Sequence, residues 1–203
     1  SSQAIVQRAR ERSAVLVDLA DPLFDAVSGV ESPAGVLAVV ATPSGRAVPP
    51  SARFCLALED LQDPGNVGTL LRSAAAAGVE HVLLAPTCAF AWSPKVLRAV
   101  QGAHFALNIV EGADLPAFVA SFAGTTVALC SEAKASIYDA DLRGPVAFLV
   151  GNEGAGLSAQ LEKSTQRVNA SSGRSWTGCR PGPSAQGGRP ARSSSRRCRR
   201  QCT

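Results

Sequence analysis

The chain has 203 residues, enough for one full domain and part of another. Its apolar runs are strand-sized and broken by Pro, Gly or charge, with nothing resembling a signal peptide or a membrane span, so a cytoplasmic protein with no membrane partner is expected. The net charge of +4 belongs to one end: residues 169–203 hold eight Arg and no Asp, Glu or Lys, leaving residues 1–168 at −4, so overall basicity is no argument for nucleic-acid binding by the body.

Residues 1–12 are polar, carry Arg8, Arg10 and Arg12, and read as a helix remnant or a frayed end. A short strand is predicted over 14–17, a helix start over 22–27 and another strand over 36–40. These pieces are too few to close a core, so residues 1–45 are expected to be the remnant of a small α/β domain whose first half is absent. Residues 43–51, TPSGRAVPPS with its preceding Thr, have linker composition, and the linker proper is placed at 46–52.

From residue 53 the pattern becomes regular. Apolar strand candidates fall at 53–58, 81–85, 105–110, 125–130 and 146–150, with helical segments at 66–78, 94–102, 114–122 and 157–163. Repeated β-then-α units predict an α/β fold, a mostly parallel sheet with helices on both faces. Ligands of such sheets bind beyond the carboxyl ends of the strands, which puts Asn66, Cys130 and Gly151 on one rim.

Two loops on that rim carry candidate chemistry. In LALEDLQDPGNVGTLLRSAAAAG, residues 56–78, a strand meets a breaker at Pro64-Gly65, and Asn66 is expected to cap the helix that follows. Val67, Leu70, Leu71, Ala74 and Gly78 share one helical face, and Arg72 falls outside it. A turn of this composition also serves simply to change direction, and an arginine off the apolar face is ordinarily solvated. The second loop, GNEGAGLS at 151–158, sets three glycines around Glu153 and opens a helix, which suits close backbone approach to a ligand. A plain glycine-rich turn remains the alternative. The loop lacks the Walker-type GxxxxGKS/T pattern, and no GxGxxG follows the first strand.

The six cysteines are scattered: Cys55, Cys88 and Cys130 lie in or beside apolar strands, and Cys179, Cys198 and Cys202 lie in the tail. Without a CxxC pair or a His/Cys ligand spacing, neither a metal site nor a disulfide framework is expected. After Val168 the chain has no Leu, Ile, Val or Phe and is dominated by Ser, Arg, Gly and Pro. Disorder is the default for such a tail, as a solvated charge run or a contact for RNA phosphates.

Taken together, DPGNVGTLLRSAAAAG, SPKVLRAVQGAHF and FLVGNEGAGLS, in this order and spacing, resemble the SpoU or TrmH family of RNA ribose 2′-O-methyltransferases, within the SPOUT superfamily. The likeness covers about 53–168, and residues 14–45 look like the end of the small RNA-binding domain that often precedes it. The resemblance implies an α/β trefoil-knot domain, S-adenosylmethionine as cofactor, rRNA or tRNA as partner, and a homodimer whose RNA site is completed across the interface. It carries over Asn66, Arg72 and Glu153 as catalytic positions. Ala128, Leu129, Cys130, Val150, Gly151 and Gly154 become the cofactor-binding positions, and Arg72 and Arg98, with Gly102, the RNA-facing ones.

The family continues with another strand, an Ile-Pro-Met-like loop and a Ser-Leu-Asn segment opening an apolar helix, whereas here the match stops at Thr165-Gln166-Arg167-Val168. An incomplete knot and a weakened dimer contact are therefore expected, with a shifted reading frame as the explanation. An active methyltransferase and an impaired fragment or RNA-binding pseudoenzyme both remain open on sequence grounds.

Overall fold

The computed structural model describes residues 2–29 and 33–169. Two helices come first, Ser2–Glu11 (α1) and Asp21–Ser28 (α2), and neither contributes a buried residue. The strands expected at 14–17 and 36–40 do not form. A strand needs a neighbouring ladder, and these stretches have none among the described residues: Val15 is 91% and Val39 94% exposed.

The remaining elements follow in the predicted alternation. They are Phe54–Leu58 (β1), Pro64–Ala77 (α3), His81–Leu84 (β2), Pro94–Val100 (α4), Asn108–Val110 (β3), Leu115–Ser121 (α5), Thr125–Leu129 (β4), Val146–Val150 (β5), Ala159–Lys163 (α6) and Gln166–Val168 (β6). They build one six-stranded sheet of order β3-β2-β1-β5-β4-β6, parallel throughout. The central strands β1, β2 and β5 read as nearly continuous apolar runs because both faces are covered. Leu56 and Leu58 of β1 pack under Val67 and Leu71 of α3 and Val96 and Val100 of α4. Cys55 and Ala57 point to the other face, toward Leu115 of α5 and Leu161 of α6. Burial pushes the Cys55 thiol up to about 11, so it is an inert core group.

Local chemistry sets the boundaries, and some differ from expectation. Asp63, not Asn66, caps α3: its carboxylate accepts from the Asn66 main-chain N–H at 2.8 Å, with Pro64 in the first turn, where its missing N–H costs nothing. Helix α4 stops at Val100, short of the expected 102, because Gln101 (φ 51) and Gly102 (φ 90) are both left-handed. The strand expected over 105–110 begins only at Asn108, since Ala103–Ala106 form a 3-10 turn. Strand β6 was not among the predicted elements; it is only three residues long, with two of them exposed.

Residues before β1 close the β3 edge. The Asn108 side chain accepts from the Arg46 N–H (2.9 Å) and donates to the Arg46 carbonyl (2.8 Å), imitating a strand partner. At the other edge Asn169 donates to the Ala135 carbonyl (2.7 Å) and accepts from the Ile137 N–H (3.0 Å). The tail cysteines, the expectation of a disordered tail and the expectation of an incomplete knot all fall outside the described residues.

Candidate active site

The strand order contains a switch point. From β1 the chain winds outward through β2 and β3, then returns to β4 and β5 on the other side of β1, so the loops after β1 and β5 flank the crevice where a parallel sheet offers a ligand room. Both loops carry the sequence motifs.

They are stitched together by side chains. Asn66 Nδ2, freed from capping because Asp63 does that work, donates to Glu153 Oε1. Asn152 Nδ2 donates to the Asp60 carbonyl at 2.9 Å, and Glu59 Oε2 accepts from the Ser158 N–H at 2.7 Å. Within the second loop, Asn152 Oδ1 accepts from the N–H groups of Gly154 (2.8 Å) and Ala155 (3.1 Å). Asn152 and Gly156 also exchange both main-chain hydrogen bonds, at 3.0 and 2.8 Å. The loop folds back so tightly that a Cβ on Gly151 would run into the Gly156 carbonyl and the Leu157 nitrogen, so only glycine fits. Asp60 is held left-handed at φ 54, an unusual state for a non-glycine residue, in the turn whose carbonyl meets Asn152.

The other expected site residues divide between this rim and a neighbouring flank. Ala128 is buried, Leu129 and Val150 are half-buried at the ends of β4 and β5, and Cys130 follows, its N–H donating to the Val168 carbonyl at 2.9 Å. Because β1, β5 and β4 are consecutive in the sheet, these groups and the Asn66–Glu153 pair lie along about 10 Å of rim. Cys130 Sγ lies 3.8 Å from Glu162 Oε1, and Glu162 in turn pairs with Arg167 at 3.6 Å.

Arg72 is not part of the rim cluster. It sits six residues beyond Asn66, about 9 Å along α3, exposed and without an ion pair among the described residues. One turn earlier, Gly68 lies so close to Ala99 of α4 that a Cβ there would meet the Ala99 side chain, which brings the two helices together and sets Arg72 beside their seam. Arg98 is exposed on α4.

Sequence reading missed Glu59, Asp60 and Asn152. The available signal was position: polar residues directly after the apolar strands ending at Leu58 and Val150, and an Asn amid glycines, which readily bonds its own main chain two residues on. A cleft of ≈ 450 Å³ also opens on this rim, lined by Glu59, Ala85, Pro86, Thr87 and residues 112–116. It lies on the β2 and β3 side, and none of the expected cofactor residues lines it. Among the described residues no cluster of three or more His, Cys, Asp or Glu is arranged to hold a metal, and no helix is long and apolar enough to cross a membrane.

A parallel α/β domain with two side-chain-stitched loops at its switch point has its candidate ligand site there, beyond the carboxyl ends of the strands. The chain belongs to the SpoU rRNA Methylase family, whose sequence model matches residues 53–170. It is 39% identical over 142 residues to an uncharacterized tRNA/rRNA methyltransferase of Synechocystis, covering 68% of this chain and 52% of that protein. Over 150 residues it is 35% identical to the 23S rRNA (guanosine(2553)-2′-O)-methyltransferase RlmP of Bacillus subtilis, covering 72% of this chain and 59% of that one. The chain thus spans little more than half the length of these curated relatives. Among solved structures, an rRNA methyltransferase from Sinorhizobium meliloti shares the fold at TM-score 0.73, with 24% identity, 85% of this chain covered and 70% of the other. The SpoU methyltransferase AviRb from Streptomyces viridochromogenes, solved with AdoMet, aligns at TM-score 0.55 and 26% identity over 64% of this chain and 52% of its own.

Proposed function

We propose that this protein transfers a methyl group from S-adenosylmethionine to a ribose 2′-hydroxyl of structured RNA, ribosomal or transfer. The observation that carries the reading is the contact between Asn66 and Glu153, which joins the two family motifs across the sheet's switch point. In this reading residues 53–168 are the methyltransferase unit, residues 1–45 belong to an RNA-substrate-binding domain, and 46–52 link them. The active form is a cytoplasmic homodimer.

The rim suits the cofactor. Gly151 allows close main-chain approach, half-buried Leu129 and Val150 offer an apolar wall beside small Ala128, and Glu153 supplies negative charge for a sulfonium cation. Cys130 and Gly154 complete that wall. When bound there, S-adenosylmethionine would supply an electrophilic sulfonium methyl group for the ribose oxygen.

The chain's own residues must then align a weakly acidic alcohol and help it shed its proton. A guanidinium is a permanent cation and a poor base, so Arg72 acts as a clamp on an RNA phosphate and as a stabiliser of the developing alkoxide, with the proton leaving to phosphate or water. Arg98 adds a second phosphate contact. Asn66 and Glu153 hold the two loops in register.

Calorimetric titration of the full chain with S-adenosylmethionine, followed by a tritium-transfer assay on deproteinised rRNA and tRNA, tests this. Micromolar binding and methyl incorporation at a ribose are expected. Absence of binding heat together with absence of transfer would assign the chain to the impaired-fragment class instead.

A further inference from the structure

The most exposed large apolar side chain among the described residues is neither on the rim nor in the unpaired N-terminal stretches. It is Phe105, 95% exposed, in the Ala103–Ala106 turn that follows α4. Folding gains nothing from such exposure, yet the turn that presents the ring is firmly held. Gln101 and Gly102 fix its entry in left-handed conformations. The next side chain, His104, is buried, with Nε2 2.8 Å from the Ala91 carbonyl and its ring against Trp92 at a centroid distance of 4.6 Å. Phe90, adjacent to Ala91, is itself 51% exposed, so two aromatic rings flank one buried anchoring contact.

The carboxylate that reaches this anchoring contact, Glu111, is itself engaged, accepting from the Ala91 N–H at 2.6 Å, whereas the helix before the turn presents exposed cations. From His81 to Val110 the sequence has no Asp or Glu, while Lys95 and Arg98 are both exposed on α4, in a body that is otherwise net acidic. An exposed ring on the turn that directly follows a helix carrying two exposed cations complements a polyanion that offers flat apolar faces. Single-stranded nucleic acid has that chemistry: phosphates meet the cations and an unpaired base stacks on the ring.

We propose that Phe105 is a stacking platform for an unpaired nucleobase of the RNA substrate, with Lys95 and Arg98 holding the adjoining phosphates. This rests on the methyltransferase reading and extends it, because it gives the protein a means of selecting RNA whose bases are splayed near the methylated ribose.

The test compares the full chain with F105A and F105W, using fluorescence anisotropy of a fluorescein-labelled, unstructured 20-nucleotide RNA, sedimentation velocity, and calorimetry with S-adenosylmethionine. F105A is expected to bind the RNA about 5- to 50-fold more weakly. F105W should bind within about 2-fold of the unaltered chain, and the slope of affinity against salt should not change because no charge is removed. Cofactor heat should be the same in all three proteins. Equal RNA affinity in F105A overturns the platform alone. A lower sedimentation coefficient in F105A overturns it in favour of a contact between copies of the chain. An unaltered chain that fails to bind the RNA also overturns the platform, and failure to bind cofactor as well overturns the underlying reading.

Discussion

The switch-point rim and the α3–α4 flank are neighbours built on opposite plans. On the rim, the polar side chains of Glu59, Asn66, Asn152 and Glu153 all hydrogen-bond to one of the two loops, and Gly151 leaves no room for a side chain. On the flank, Arg72, Lys95, Arg98 and Phe105 all stand exposed, on α3, on α4 and on the turn after it, where Gly68 closes the two helices against Ala99. Groups that are already satisfied define a shape, whereas unsatisfied cations and an unburied ring are available to a partner. In the proposed reading, the small, geometrically demanding ligand belongs to the rim and the large anionic one to the flank.

Removing Arg72 is the sharpest way to probe that division. Arg72→Ala deletes a side chain that supports nothing in the fold, so the melting temperature and cofactor affinity should hold, while methyl transfer falls by about 10²- to 10³-fold. A single-turnover assay checks this, and near-normal turnover would return Arg72 to the ordinary surface. The rim should respond in the opposite sense. Gly151→Ala forces a methyl group against the Gly156 carbonyl, so a loss of about 1–3 kcal/mol in thermal or denaturant unfolding is expected, together with weakened cofactor binding. A variant as stable as the parent would mean that the loop opens freely and is not a fixed cradle.

The extent to which these regions were legible in the sequence follows from how local their causes are. The strand and helix alternation from residue 53 onward was readable because the central strands β1, β2 and β5 are nearly continuous apolar runs and the main helices have start signals of their own. Asn66 and Glu153 were readable as positions within motifs, but their contact was not, because it joins residues 87 apart through the sheet order. The capping role was misassigned for a local reason: Asp63 and Asn66 are both good caps, and Pro64 between them fits a first helical position better than a preceding turn. Strand β6 escaped because three residues with two exposed carry almost no pattern. The N-terminal stretches at 14–17 and 36–40 have strand composition and yet lack strand structure, since composition cannot supply the partner that a ladder requires.

Glu153→Gln produces the smallest expected effect and separates geometry from charge within the rim. Glutamine keeps a side-chain oxygen that can accept from Asn66 Nδ2, so the link between the loops survives and the melting temperature should change by no more than a degree or two. What disappears is the negative charge, whose value near a sulfonium cation is that of one partly solvated ion pair, about 0.5–1 kcal/mol or a few-fold in affinity. Calorimetry should therefore show a few-fold weaker uptake of S-adenosylmethionine and little change for the neutral product S-adenosylhomocysteine. Equal losses for both ligands would place Glu153 among the shape-defining groups only, and the electrostatic part of the rim's role would pass to other carboxylates such as Glu162.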